Sequence, residues 1–122
     1  MKESSIQQIS ICIDLKKYRI RLHQKTLQAI GMPPYVLLLV NPTERTLIIQ
    51  STNHTDRKGH HLSWAAAKNK SSFEIYSREL ICKLRELCGE WKEDCSYRMY
   101  GQAAGNGSAL VFNMDSFMRM ET

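Results

Sequence analysis

Apolar and polar residues alternate over residues 9–13, where Ser10 and Cys12 separate Ile9, Ile11 and Ile13. A period of two marks a strand with one buried face. After a polar turn at Asp14-Leu15-Lys16-Lys17, the alternation resumes over residues 18–23. Tyr18, Ile20 and Leu22 then share one face, and Arg19, Arg21 and His23 the other. The two runs predict a hairpin with an apolar inner side. Leu27 and Ile30 give a narrow stripe to a short helix over residues 25–30, stopped by Gly31 and kept from continuing by Pro33-Pro34. Residues 36–40 are apolar throughout, as in a strand buried on both faces. A turn at Asn41-Pro42 then leads to a partner strand over residues 46–50.

A polar stretch, residues 51–72, precedes a second run of the same kind. Phe73-Glu74-Ile75-Tyr76 reads as a strand, and residues 77–88 as an amphipathic helix. Ser77 is its N-cap, and Leu80, Ile81, Leu84, Leu87 and Cys88 lie on one face before Gly89. Paired strands follow at residues 97–102 and 109–114, with Asn106-Gly107 at the turn. The pattern predicts one α+β domain spanning residues 1–122. It holds two β-α-β-β repeats, about 9–50 and 73–113, joined by the polar linker 51–72. Antiparallel sheets would pack with one long amphipathic helix and one short helix.

A length of 122 residues allows one real core and favours a homodimer or higher homo-oligomer. With 43% hydrophobic and 24% charged residues, the composition is that of a globular domain. No apolar run reaches the roughly 20 residues that span a bilayer, so a cytoplasmic protein away from membranes is expected. The net charge of +5 is uneven: residues 1–70 hold 11 Lys/Arg against 4 Asp/Glu, and residues 71–122 hold 6 against 8. A basic half joined to a mildly acidic half points to a polyanion partner or to self-association through opposite patches.

Catalytic and metal signatures do not stand out. Gly105-Asn106-Gly107 sits at a hairpin tip, not between a strand and a helix where a phosphate loop would lie. Cys12, Cys82, Cys88 and Cys95 lack the close pairing of a zinc site, and His60-His61 on a strand would point to opposite faces. No cofactor, no metal and no enzymatic activity are expected. The basic hairpin remains: Lys16, Lys17, Arg19, Arg21 and Lys25 place five charges within ten residues. Arg19 and Arg21 would lie side by side, about 6.6 Å apart along a strand, where they could reach neighbouring phosphates.

Ile13-Asp14, the Lys-rich turn, Arg19-Ile20-Arg21-Leu22 and the helix ending Ala29-Ile30-Gly31-Met32 resemble the AbrB/MraZ group of swapped-hairpin DNA-binding regulators. The resemblance covers residues 9–50 and implies DNA contact by Arg19; Arg21 is added from strand geometry. Tyr18 stands where that group has glycine, His23 where it has proline, and Leu27 and Gln28 replace a basic helical pair. A doubled strand–helix–strand–strand unit is also similar to one domain of a DNA polymerase sliding clamp. The expected function is a non-enzymatic regulator that holds double-stranded DNA through Lys16, Lys17, Arg19, Arg21 and Lys25. The alternative is a small protein-interaction module, clamp-like or encoded by a mobile element, that binds an acidic protein partner.

Overall fold

The computed structural model describes residues 9–52, 59–65 and 70–120. Its strands and α-helices follow one another as β1 (Ile9–Asp14), β2 (Arg19–His23), α1 (Gln24–Gln28), β3 (Tyr35–Asn41), β4 (Thr46–Thr52), β5 (His60–His61), β6 (Ser72–Tyr76), α2 (Arg78–Leu87), β7 (Ser96–Ala104) and β8 (Ala109–Met120). All eight strands join one antiparallel sheet in the order β5-β3-β4-β8-β7-β1-β2-β6. The sheet rolls until its ends approach. Trp64, just after β5, donates to the Pro33 carbonyl at 2.9 Å and meets Phe73 of β6 edge-on, ring centroids 4.8 Å apart.

This architecture corrects the α+β expectation. The order strand–helix–strand–strand occurs twice, yet neither run builds a sheet of its own, and strands dominate. Only α2, with ten residues, is a substantial helix, because α1 closes after five. Strand pairing across the whole chain explains the difference. β2 pairs with β6 and β4 with β8, which merges the two runs into one near-barrel. Part of the expected linker joins it too: β5 pairs with β3, and Leu62 is buried. Residues 53–58 and 66–69 of that linker lie outside the described residues.

The core fills the roll from the inner side of each strand. Ile11 opposes Leu22, and Ile13 opposes Ile20, all buried, as their alternation requires. Leu47, Ile49, Leu110, Phe112 and Met114 line the other half, with Ile81 and Leu84 of α2 in the same cluster. Ser77 caps α2, its hydroxyl accepting from the Leu80 amide at 3.2 Å. β7 and β8 shift register between Met99 and Gly101. A Cβ at Gly101 would fall on the Val111 carbonyl and lie 2.7 Å from the Phe112 ring, so only glycine fits there.

Two hairpin turns hold α2 at its ends. In the first, Asp14 Oδ1 accepts from the amides of Lys16 and Lys17, and Tyr18 takes the left-handed conformation at φ 53. In the second, Asn41 Oδ1 accepts from the Glu44 amide, and Arg45 adopts φ 54. The Tyr18 carbonyl receives the Ser77 amide at 3.0 Å, and the Arg78 guanidinium lies 4.1 Å from the Tyr18 ring centre. Arg45 donates to the Leu87 carbonyl at 2.8 Å and pairs with Asp115. Such contacts satisfy helix-end groups that would otherwise lack partners.

The sheet has an internal two-fold logic. Exchanging β1 with β5, β2 with β6, β3 with β7 and β4 with β8 turns nearly every pairing into another observed one. β2–β6 and β4–β8 map onto themselves, β3–β4 onto β7–β8, and β1–β7 onto β5–β3. One counterpart is missing among the described residues. β1 pairs with β2, but β5 does not pair with β6. Among the described residues, a six-residue strand holds this position on one side of the roll and a two-residue strand on the other.

Candidate functional site

The basic hairpin forms as its alternation predicts, but its arginines are not free. Arg19 Nε lies 3.1 Å from Asp14 Oδ2, and its Nη1 lies 2.7 Å from Glu74 Oε2. Arg21 Nη2 approaches the same Glu74 oxygen at 2.9 Å. Arg19 keeps only 15% of its side chain exposed, against 44% for Arg21. The β2–β6 register explains this, since Arg21 stands opposite Glu74 and Arg19 opposite Tyr76. The Arg21 hydrogen bond holds the Glu74 carboxyl below its usual range, against the opposing effect of burial and with help from the Arg19 charge. Two carboxylates thus neutralise the two arginines expected to meet phosphate.

Lys16 and Lys17 at the turn, and Lys25 on α1, are exposed and form no ion pair among the described residues. Arg98, which composition alone does not single out, belongs to the same outer face. It stands opposite Cys12 on β1, which in turn stands opposite Arg21. Arg98 and Arg21 are then two strand spacings apart, about 10 Å. Burial pushes up the pKa of the Cys12 thiol between them, and it raises that of Cys88 likewise. A raised pKa disfavours the reactive thiolate, so neither cysteine is poised as a nucleophile.

The structure also shows an apolar surface that the residue pattern did not single out as a site. On the outer side of the sheet Leu39, Ile48 and Val111 stand opposite one another across β3, β4 and β8, and Leu39 is 43% exposed. Beside β3 runs an open groove of about 460 Å³. Leu38, Val40 and Leu80 are apolar residues of its lining, and His60, Glu79 and Lys83 polar ones. Partial burial lowers the His60 pKa from its usual 6.5. Among the described residues, no group of His, Cys, Asp and Glu could hold a metal ion. Nor is any described helix long and apolar enough to cross a membrane.

Comparison with known proteins matches no family model, no curated protein and no solved structure. The likenesses to swapped-hairpin regulators and to clamp repeats therefore rest on residue pattern alone.

Proposed function

We propose that the chain is a non-enzymatic protein-interaction module whose contact surface centres on β3. The observation that carries this reading is the position of β3 in the sheet. It bears the exposed Leu39 on its outer face, and a groove of apolar and polar residues runs beside it. Contiguous exposed apolar surface is a mark of contact sites. The four free cysteines suit a reducing compartment, so the proposal includes a cytoplasmic setting.

The ion pairs of Arg19 and Arg21 move the weight from nucleic acid to protein. Duplex DNA is the second reading, favoured by the exposed Lys16, Lys17 and Lys25 and by Arg98 on the same face as Arg21. An acidic protein surface could use the same lysines at the margin of the β3 contact. One comparison separates the readings. The protein immobilised at physiological salt should retain a specific protein partner, lose it on Leu39→Lys with Ile48→Lys, and hold no duplex. Duplex binding that weakens steeply with salt, and weakens further on Lys16→Ala with Lys17→Ala, would establish the second reading instead. Measuring the assembly mass at two concentrations tests the expected homo-oligomer.

A further inference from the structure

We infer that a cleft between α2 and the turn joining β1 to β2 binds a small planar aromatic carboxamide. The cleft measures about 410 Å³, within the roughly 300–1,000 Å³ of small-molecule sites. Leu15 of the turn, Ile81 of α2 and Trp91 after the helix give it an apolar floor, each at most 3% exposed. Arg85, Glu86 and Glu93 stand exposed at its rim. The lining comes from residues 15–18 and 81–93, all among the described residues. This site does not depend on the β3 contact surface. Glu79, Leu80 and Lys83 of α2 line the groove beside β3, whereas Ile81, Cys82, Arg85 and Glu86 line the cleft.

Trp91 says what the ligand must carry. Its ring stacks on Tyr97 with centroids 4.6 Å apart and meets Phe117 edge-on at 5.5 Å, which fixes the indole in place. Its Nε1–H is nevertheless buried with no acceptor among the described residues. The other tryptophan provides the contrast, since Trp64 Nε1 donates to the Pro33 carbonyl at 2.9 Å. A buried N–H without a partner costs free energy that an incoming oxygen recovers. The first requirement is therefore a hydrogen-bond acceptor placed beside the indole.

The rim decides what kind of acceptor. Arg85 Nη2 lies 3.0 Å from Glu93 Oε2, so the guanidinium already holds a carboxylate. Arg78, beside the Tyr18 wall, is engaged 4.1 Å from the centre of that ring. Glu86 forms no ion pair among the described residues. Two carboxylates against one guanidinium in the lining disfavour an anion, which points to a neutral carbonyl. Glu86 also accepts hydrogen bonds and so favours an N–H on the same ligand. A primary carboxamide carries both parts on one flat group. An aromatic ring attached to it covers the Leu15 and Ile81 floor with few rotatable bonds to fix.

Benzamide is the probe. The chain has two tryptophans, so the isotope-labelled full-length protein gives two indole N–H signals, with Trp64 as the internal reference. Benzamide should move the Trp91 signal downfield, slow its exchange with water at least tenfold and leave Trp64 in place. Benzoate, which brings a charge, and toluene, which lacks the amide, should each bind at least tenfold more weakly. Trp91→Phe keeps an apolar floor without the donor and should reduce benzamide to the affinity of toluene. Glu86→Ala should weaken benzamide at least threefold and leave toluene unchanged. Cys82→Trp puts bulk into the cleft from an exposed helix position and should weaken benzamide at least tenfold. That variant keeps the test valid where Trp91→Phe fails to fold.

Several results would overturn the inference. One is a Trp91 signal unmoved by millimolar benzamide. If that signal is instead protected from exchange before any probe is added and stays so, a bound water satisfies the indole. Equal affinities for benzamide and toluene would leave the indole donor without a role. Tighter binding of benzoate than of benzamide would show that the rim carboxylates do not set the charge of the ligand.

Discussion

The two seats of the near-barrel differ in how fully a strand occupies them. Between β7 and β2, β1 contributes alternating isoleucines, and Ile11 and Ile13 are almost wholly buried. Its end is also tied down, since Asp14 accepts two turn amides and pairs with Arg19. Between β3 and β6, β5 is two histidines long, and Leu38 and Val40 stay half-buried beside an open groove. The same sheet position thus serves as core on one side and as surface on the other. β1 supplies apolar residues at alternate positions, whereas β5 supplies two histidines.

The largest test of that contrast is cavity formation. Ile13→Ala should cost about 2–5 kcal/mol in chemical denaturation, the usual range for a fully buried site. Leu38→Ala in the open seat should cost less than half as much, and equal losses would erase the distinction between the seats. Gly101→Ala comes next. It forces β8 away from β7, the strand beside the filled seat, and should cost about 1–3 kcal/mol or more. Arg19→Ala frees Asp14 and Glu74 of a partner at the end of β1, and thermal unfolding should register about 1–3 kcal/mol. The Lys16→Ala and Lys17→Ala variants should change stability little, because those side chains are exposed and form no ion pair among the described residues.

pH separates the seats with the smallest effects. Glu74, whose partner Arg19 also holds Asp14 of β1, titrates below its unfolded value of 4.5 in the folded protein. Its contribution is present above that value and is lost as pH falls through the lower folded value, because the unfolded chain takes up the proton first. Glu74→Gln should flatten that part of the stability profile. His60, at the end of the open groove, also titrates below its unfolded value, here 6.5. Stability should therefore decline as pH drops from 6.5 through the folded value, and His60→Gln should remove that decline. Both are read from denaturation midpoints across pH.

Local pattern by itself determined much of this protein. The hairpin of β1 and β2 was legible because a strict period of two leaves one register that buries the isoleucines. α2 was legible from Ser77, its apolar stripe and Gly89, all within one short window. Only the tertiary structure decided that the strands form one rolled sheet, since pairing β2 with β6 and β4 with β8 joins residues far apart in the chain. It alone brought Glu74 to Arg19 across 55 positions and so withdrew Arg19 from solvent. The length of β8, out to Met120, was likewise hidden, because the alternation that buries Leu110, Phe112 and Met114 breaks at Ser116. That β5 pairs with Tyr35 and Val36 of β3 was hidden for a similar reason. Which neighbour a strand takes is a property of the assembled sheet, and no run of residues within the strand encodes it.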